Sequence, residues 1–301
     1  MPTGNEYTVR RISRDDISGL ERLFEQVYKR PVADGYFEKK FVTSYAGLEY
    51  AGFIAAGPKG EILASLCMVP CSILIYGVSI KSAQLTDGMT SISQRRSGLF
   101  GQLATCVFDL AKQSGIELLF GFPNQDAFPA LLKNGWIWKE DIDRFEIAVK
   151  RSINWYINRL TGRKGSNFKK RSGDIHSVLR DGFDGIDRNN EYIEYKLSMG
   201  NYGLVESGAG KAWIKTGPNL AIGDMEVEDE EFDGLMKLVK KEAIKNAAGK
   251  IDFQCSRGSR LHHLFGKRYR AIPSFPVVIK KLNQDLNTDR IRFTYADIDI
   301  F

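Results

Sequence analysis

AQLTDGMTSISQRRSGLFGQL, residues 83–103, is the stretch of sequence that decides how the rest of the chain is interpreted. Its first part favours a strand, and from Leu99 onwards apolar residues recur at helical spacing. A strand that passes through a glycine-containing loop into a helix presents unpaired backbone N–H groups at the positive end of the helix dipole. We therefore predict a pyrophosphate site here, and an ordinary strand-to-helix turn is the alternative.

Four residues of the loop would support such a site. Gly98 would let the backbone approach the phosphates closely. Arg95 and Arg96 add positive charge, and Ser97 could donate a hydrogen bond from its hydroxyl. The loop is thus expected to attract an anion through both its backbone and its side chains.

The better-known phosphate loops do not account for the sequence. A Walker motif needs GxxxxGK followed by Ser or Thr, and a dinucleotide fold needs GxGxxG after its first strand. The segment SGAGK at 207–211 lacks the earlier glycine, because Val205 stands at that position, and it continues into Ala212. We interpret it as a hairpin turn.

The first half of the chain alternates strand-like and helix-like patterns. We predict strands at 7–13, 49–56, 61–74, 79–90, 117–122 and 136–149, and helices from Ser13 to about residue 29 and at 35–44, 99–114 and 127–134. Three of the strands follow one another across short turns, which favours an antiparallel meander. The later strand, helix, strand order extends this sheet.

The second half repeats a similar order after a basic, weakly periodic linker at 151–190. Strands are predicted at 192–197, 202–207, 211–216, 220–227, 250–255 and 276–281, with helices at 230–247 and 259–265. The repetition suggests an internal duplication. We expect an α/β (α+β) protein of two domains, 1–150 and 191–301, each with a mixed, mainly antiparallel sheet flanked by helices.

Composition limits the partners only broadly. Lys and Arg total 43 against 37 Asp and Glu, a net charge of +6 that favours anionic ligands in general. The basic residues gather at 151–171 without the interleaved aromatics of a nucleic-acid stacking motif. We interpret this run as a solvated linker, with an RNA or phospholipid contact as the alternative, so nucleic acid is not an expected partner.

The cysteines and the beginning of the sequence suggest a cytoplasmic protein. Cys67, Cys71, Cys106 and Cys255 lack paired CxxC spacing and read as free buried thiols. The first sixteen residues are polar and have no signal-peptide core. No run of eighteen apolar residues occurs, so no membrane span is expected.

Two segments resemble the GNAT acyltransferases. This family carries a motif of Arg or Gln, two variable residues, Gly, one variable residue and Gly or Ala, and the run from Arg95 to Phe100 matches its first and fourth positions. Phe100 departs from the sixth, although a Gly-Leu-Phe ending is similar to GNAT proteins of polysaccharide gene clusters. The stretch FGFPNQDAFPALLKNGW, 120–136, resembles the family's fifth strand, the Asn that follows it and a short helix before a Gly-aromatic pair.

The resemblance implies two GNAT-like domains and acetyl-CoA, or another acyl-CoA, as co-substrate. By position, the backbone of Gly88, Met89 and Thr90 would pair with pantetheine and polarise the thioester carbonyl. The pyrophosphate would lie against the run that the family motif covers. These predicted cofactor residues are Arg95, Arg96, Ser97, Gly98, Leu99, Phe100 and Gly101, with Asn124 beside the thioester arm.

The same resemblance defines the catalytic expectations. Family members commonly use a strand-four carboxylate as base and a Tyr four residues before the Gly-aromatic pair as acid. Asp87 is the candidate base, with a structural or turn-capping aspartate as the alternative, and Leu131 occupies the tyrosine position.

The adjacent His262 and His263 would point to different helix faces, so no metal site is expected.

We thus expect an N-acyltransferase that acts on a primary amine of a small molecule, with an amino sugar or nucleotide sugar as the leading acceptor. The second domain would be a degenerate copy on the acceptor side, since an acidic run, GDMEVEDEEFDG, precedes its helix at 230–247. The alternatives are a non-catalytic CoA-binding or scaffold protein and a Fem-like aminoacyl transferase. The sequence does not predict the oligomeric state.

Overall fold

The computed structural model of the chain describes residues 7–161, 175–208 and 210–301. These residues form two compact units, and neither unit is continuous in sequence. The first unit contains residues 7–73, 79–139 and 277–286, and the second contains the described residues of 74–78, 140–276 and 287–301.

The described helices and strands largely follow the predicted order. In the first half they are β1 (Thr8–Arg11), α1 (Ile17–Tyr28), α2 (Tyr36–Lys40), β2 (Gly52–Ala56), β3 (Ile62–Ile75), β4 (Val78–Thr90), α3 (Leu99–Gln113), β5 (Leu118–Gly121), α4 (Ala127–Lys133) and β6 (Ile137–Ala148). In the second half they are α5 (Ile153–Thr161), α6 (Ser177–Arg180), β7 (Gly185–Ile186), α7 (Asn190–Ser198), β8 (Tyr202–Ser207), β9 (Gly210–Lys215), β10 (Leu220–Val227), α8 (Phe232–Lys245), β11 (Lys250–Ser256), α9 (Arg260–Gly266) and β12 (Ala271–Lys281). The fold is mixed α/β, with mostly antiparallel strands flanked by helices, as the sequence predicts.

The sheet of the first unit has the order β1, β2, β3, β4, β5 and the last residues of β12. β1 with β2 and β2 with β3 are antiparallel, whereas β4 and β5 are parallel. β5 also pairs antiparallel with Val278–Lys281 of β12. Helix α3 is the crossover between the two parallel strands, which is the connection that such a pair requires.

Two apolar clusters cover the faces of this sheet. On one face, α3 buries Leu99, Leu103 and Val107 against residues of β3, β4 and β5. On the other, Leu20 and Leu23 of α1 pack with the aromatic residues of α2. Each buried leucine contributes about 1.5–3 kcal/mol by leaving water.

The sheet of the second unit has the order β8, β9, β10, β11 and β6. β10 and β11 are parallel, and the other pairs are antiparallel. The core lies under α8 and α9 and includes the stacked rings of Phe253 and Phe265, whose centroids are 4.3 Å apart. Ser207 and Gly210 are paired across the β8–β9 turn, which confirms the predicted hairpin.

Strand pairing accounts for the difference between the boundaries of the two units and the predicted domain boundary at residue 150. Residues 142–148 of β6 pair with β11, so they belong to the second unit, although the predicted first domain included them. Conversely, Val278–Lys281 belong to the first unit. Hydropathy patterns report local structure, and they do not identify the partner of a strand far along the chain.

Two further predictions are wrong in detail. The predicted strand at 192–197 is part of helix α7, which begins where the Asn189 side chain accepts a hydrogen bond from the Tyr192 N–H. The predicted linker contains helix α5, anchored by a hydrogen bond from Trp155 Nε1 to the Ala248 carbonyl. Residues 162–174 of that linker lie outside the described residues.

Candidate functional site

The strands β4 and β5 separate partway along β4. Their parallel pairing covers Ser82–Leu85 and Leu118–Gly121, after which β5 ends and β4 continues to Thr90. Within the described strands, the neighbours of β4 are β3 and β5. The edge of β4 beyond Leu85 therefore presents backbone groups that no longer have β5 as a partner, which suits it to pair with an extended ligand.

Asp87 introduces an irregularity at the beginning of this edge. Its φ of 50° is left-handed, a conformation uncommon outside glycine, and its carbonyl accepts a hydrogen bond from Ser65 Oγ at 2.8 Å. Gly88 is exposed, while the side chain of Met89 is 2% exposed in the core beneath α1. Gly88, Met89 and Thr90 thus follow a local bend at the end of β4.

The loop after β4 is braced by its own hydrogen bonds. The Ser91 N–H donates to the Leu63 carbonyl at 2.8 Å, and the Ser97 hydroxyl donates to the Gln94 carbonyl at 2.7 Å. Arg96 and Gly98 have left-handed φ values of 66° and 85°. Because Ser97 has a single hydroxyl proton, its role here is to hold the loop, which differs from its predicted role as a donor to phosphate.

The loop leads into the N-terminus of α3, where the surface is open. Leu99 and Phe100 lie in the first turn, and their N–H groups have no preceding helical carbonyl, whereas the N–H groups of Gly101 and Gln102 donate to the Gly98 carbonyl. A Cβ placed on Gly98 would meet nothing within 4 Å, and one placed on Gly101 would meet only Asn134 Oδ1, at 4.0 Å. Arg95 and Arg96 are both exposed beside this surface. Backbone donors, the helix dipole and two guanidinium groups make the loop fit a pyrophosphate.

The predicted site residues after β5 have structural partners. Asn124 Oδ1 accepts hydrogen bonds from the backbone N–H groups of Asp126 and Ala127, at 3.1 and 2.9 Å, and so caps the beginning of α4. Leu131 is 3% exposed and packs in the core beneath α3. A leucine there cannot donate a proton.

Asp87 forms a buried ion pair that the sequence interpretation missed. Its Oδ2 lies 2.7 Å from Lys40 Nζ, and the exposed fractions of the two side chains are 9% and 1%. Lys40 Nζ also donates to Thr86 Oγ1 at 2.8 Å and to the Tyr36 hydroxyl at 3.1 Å. The signal was available, because Lys40 follows Phe37 by three residues on the apolar face of α2.

This ion pair affects its surroundings. Burial raises the pKa of the Cys67 thiol well above its ordinary value, and the Asp87 carboxylate adds to that rise. Cys67 is therefore a buried neutral thiol, as expected from its apolar context. The carboxylate of Asp87 is held in a buried ion pair with Lys40, so it has a structural role in addition to the predicted catalytic one.

The second unit contains a similar strand, turn and helix at β10 and α8. The pairing of β10 with β11 ends at Ile222 and Phe253, and the β9–β10 register shifts around Gly223. Here the chain's own residues occupy the opening, because a Cβ placed on Gly223 would lie 2.3 Å from Phe301 Cζ. An isolated antiparallel β-bridge joins Cys255 to Thr294, so the chain segment that ends at Phe301 also pairs with the edge of β11.

A buried cation holds this segment in place. Arg188 forms ion pairs with two carboxylates, with Nη1 at 2.5 Å from Asp224 Oδ2 and Nη2 at 2.8 Å from Asp297 Oδ1. Burial alone would lower the pKa of Arg188, but Asp297 and Asp224 outweigh it and raise the pKa. The turn after β10 carries Asp229, Glu230 and Glu231, so its charge is opposite to that of the loop after β4.

The three histidines lie in the second unit. His262 Nε2 is 2.9 Å from Asp143 Oδ2, and Arg257 binds the same carboxylate through two nitrogens. Among the described residues, no group of three or more His, Cys, Asp or Glu is placed to hold a metal ion. No helix in the described part of the chain is long and apolar enough to cross a membrane.

Comparison with known proteins supports the interpretation of the first unit. Residues 8–137 match the family model described as an acetyltransferase (GNAT) domain. This range contains the separated strands, the loop and the beginning of α3. No curated protein sequence matches the chain significantly.

Solved structures share the fold over nearly the whole chain. A putative acetyltransferase from Pyrococcus horikoshii has a TM-score of 0.60 and 13% identity, covering 99% of this chain and 96% of that one. A GCN5-related N-acetyltransferase from Kribbella flavida has a TM-score of 0.59 and 12% identity, with 92% and 71% covered. A probable N-acyltransferase from Enterococcus faecalis has a TM-score of 0.61 and 11% identity, with 92% and 73% covered. At these identities the likeness establishes the GNAT fold.

Proposed function

We propose that the protein is an N-acyltransferase that moves an acetyl or other acyl group from acyl-CoA to a primary amine of a small molecule. The observation that carries this proposal is the order of three features along the chain: β4 continues past its pairing with β5, the exposed loop at Arg95 and Arg96 follows, and the N-terminus of α3 comes next. The match of residues 8–137 to an acetyltransferase domain supports it.

We assign the cofactor contacts along that surface. The backbone of Gly88, Met89 and Thr90 would pair with the pantetheine arm, and the run from Arg95 to Gly101 would hold the pyrophosphate. The open surface above Gly98 supports the second assignment, because a phosphate needs close approach to the backbone. Asn124 would border the arm while its side chain caps α4.

The reaction requires proton transfers as well as positioning. The amine nitrogen attacks the thioester carbon, the C–N bond forms and the C–S bond breaks. The ammonium proton passes to a base, and the departing thiolate takes a proton from an acid or from water. With Leu131 buried, water is our proposed source for the thiolate proton.

Asp87 has two competing roles, base and structural partner of Lys40, and a pair of variants distinguishes them. Asp87→Asn alone would leave Lys40 buried without its carboxylate and is expected to destabilise the fold by about 3–5 kcal/mol. The double variant Lys40→Met/Asp87→Leu removes both charges and should recover most of that stability. Urea unfolding measures the recovery.

Activity of the double variant then separates the roles. If Asp87 is the base, kcat falls by about 100-fold or more while acetyl-CoA affinity is kept. If the ion pair is only structural, kcat returns with stability. Lys40→Met alone serves as a control in which the carboxylate remains.

The buried ion pair and Leu131 together favour one alternative, a GNAT-fold protein that binds CoA without catalysis. Calorimetry with acetyl-CoA, followed by a thiol-release assay over a panel of amines that includes amino sugars and nucleotide sugars, tests both proposals. Binding with turnover on an amine supports the transferase. Binding without turnover on any amine supports the non-catalytic CoA-binding protein. Failure to bind acetyl-CoA would contradict both proposals.

We also propose that the second unit is a degenerate GNAT-like copy that contributes to acceptor recognition. Its strand, turn and helix support this, and its acidic turn argues against a second pyrophosphate site. An amino sugar or nucleotide sugar, as in polysaccharide biosynthesis, is the proposed acceptor. The free thiols of the four cysteines favour a cytoplasmic location.

A further inference from the structure

Helix α5 of the second unit is amphipathic, and its apolar side faces outward. Ile153, Tyr156, Ile157 and Leu160 follow the spacing of one helix face, and their exposed fractions are 79%, 52%, 45% and 86%. We call these four residues the α5 face. Isolated exposed apolar residues are ordinary, but four on one side of a nine-residue helix form a contiguous patch.

The opposite side of α5 fixes the helix to the second unit. Trp155 is 8% exposed and donates from Nε1 to the Ala248 carbonyl at 2.9 Å, and Asn158 Nδ2 donates to the Ile244 carbonyl at 3.4 Å. Arg151 lies over the Trp155 ring, 5.4 Å from its centroid. The orientation of α5 is therefore determined by contacts on one side, which leaves the α5 face toward solvent.

The sequence on both sides of α5 carries charge of one sign. Residues 150–173 include eight basic residues and no Asp or Glu. Lys150, Arg151 and Arg159 are among the described residues, whereas Arg163, Lys164, Lys169, Lys170 and Arg171 contribute to this count from the sequence alone, because they lie outside the described residues. Arg151 and Arg159 are exposed at and within the helix itself. The α5 face thus combines apolar side chains with a strongly positive sequence environment.

We propose that the α5 face binds the surface of an anionic phospholipid bilayer. Apolar side chains of an interfacial helix enter the headgroup region, while adjacent Lys and Arg residues are attracted to anionic lipids. This combination matches both properties of α5. The proposal is independent of the acyl-transfer site, which lies in the first unit.

Two other partners fit the α5 face less well. A second copy of the chain would bring the same positive charge to the contact, and nine residues are few against the roughly 20–30 per side of a stable interface. A nucleic acid would complement the charge, and Tyr156 could stack on a base, but the other three residues of the face, Ile153, Ile157 and Leu160, have no stacking or hydrogen-bonding function toward it. An anionic bilayer complements the charge and the apolar side chains together.

Sedimentation of the full chain with vesicles tests the proposal. The probes are vesicles of phosphatidylcholine alone and of phosphatidylcholine with an equal amount of phosphatidylglycerol. We expect binding to the anionic vesicles only, weakened in about 0.5 M salt because the attraction is screened. Ile157→Gln/Leu160→Gln should reduce the bound fraction about tenfold or more, because two apolar side chains that would enter the bilayer are lost.

Val78→Gln is the matched control, since Val78 is an apolar residue that is 61% exposed and lies outside both proposed sites. It should bind vesicles like the wild type, and all variants should keep the same affinity for acetyl-CoA. Equal vesicle binding by the double variant overturns the proposal. A second result would also overturn it: the wild type does not bind vesicles, and light scattering shows a wild-type dimer that becomes a monomer in the double variant. The α5 face would then join two copies of the chain.

Discussion

The segment from β4 to α3 and the segment from β10 to α8 have the same backbone arrangement but differ in charge and in what fills the opening beside the strand. Each is a strand that separates from a parallel neighbour, followed by a short turn and a long helix. In the first unit the turn carries Arg95 and Arg96 and an open Gly98, whereas in the second it carries Asp229, Glu230 and Glu231. Phe301 occupies the opening beside β10. The comparison teaches that backbone geometry creates an opening, while charge and the occupant determine what can bind there.

The largest expected effect, on the free energy of unfolding, comes from removing the Phe301 side chain from its place beside β10. Phe301 is 1% exposed and packs edge-on against the rings of Tyr202 and Trp213, both at 5.3 Å between centroids. Phe301→Ala should lower the free energy of unfolding by about 3–5 kcal/mol through the lost burial and the cavity. Urea unfolding measures it, with Tyr28→Ala, at a 40% exposed side chain, as the control.

The same variant probes the charge difference between the two segments. Opening the space beside β10 should not create a second acetyl-CoA site, because the acidic turn repels a pyrophosphate. A calorimetric stoichiometry of two for Phe301→Ala would show that the acidic turn is no barrier. A loss of stability no greater than that of Tyr28→Ala would show that the segment is held loosely.

Reversing the charge of the first loop should have the next largest effect. Arg95→Glu/Arg96→Glu replaces two cations beside the proposed pyrophosphate with anions, and we expect the Kd for acetyl-CoA to rise about tenfold to hundredfold. Calorimetry at low ionic strength gives the value. Arg14→Glu/Lys59→Glu, at two exposed basic residues of the first unit, makes the same change in net charge and is the control, and an unchanged Kd in Arg95→Glu/Arg96→Glu would place the pyrophosphate elsewhere.

The smallest expected effect isolates the backbone of the loop. Gly98 and Gly60 both have left-handed φ values, 85° and 77°, and a Cβ on either would meet nothing within 4 Å. Ala at either position should therefore lower the free energy of unfolding by a similar amount, roughly 1 kcal/mol. Only Gly98→Ala should also weaken acetyl-CoA binding, by about fivefold, or about 1 kcal/mol. Equal binding by both variants would mean that the ligand does not approach Gly98.

Local patterns predicted much of the fold. The apolar spacing from Leu99 onwards gave helix α3, and the strands β8 and β10 agree with the structure at both ends. Tyr192 and its neighbours were misassigned because an alternating apolar pattern outweighed the cap at Asn189. The partners of β6 and β12 were missed because strand pairing between distant segments leaves no local signal.

The candidate site was predictable where backbone geometry defines it and not where packing does. The turn at Gly98 and the following helix are as expected, and their binding of acyl-CoA stays a prediction. The burial of Lys40 against Asp87 depends on the folding of α2 onto the sheet, so the sequence offered only a lysine at an apolar helical position. The placement of Phe301 beside Gly223 joins residues that are distant in sequence.

The pairing of the end of β12 with β5 has a consequence for how the chain folds during synthesis. The first unit's sheet includes Val278–Lys281 beside β5, and the second unit's sheet includes residues 142–148. The strands of the second sheet lie between residues 137 and 256, in one contiguous stretch of nascent chain, whereas the first sheet must wait until the residues after 277 leave the ribosome. Until then the free edge of β5 is an unpaired template for incorrect association. Folding should therefore be slow relative to proteins of similar size with local contacts, and fragments ending near residue 150 should aggregate.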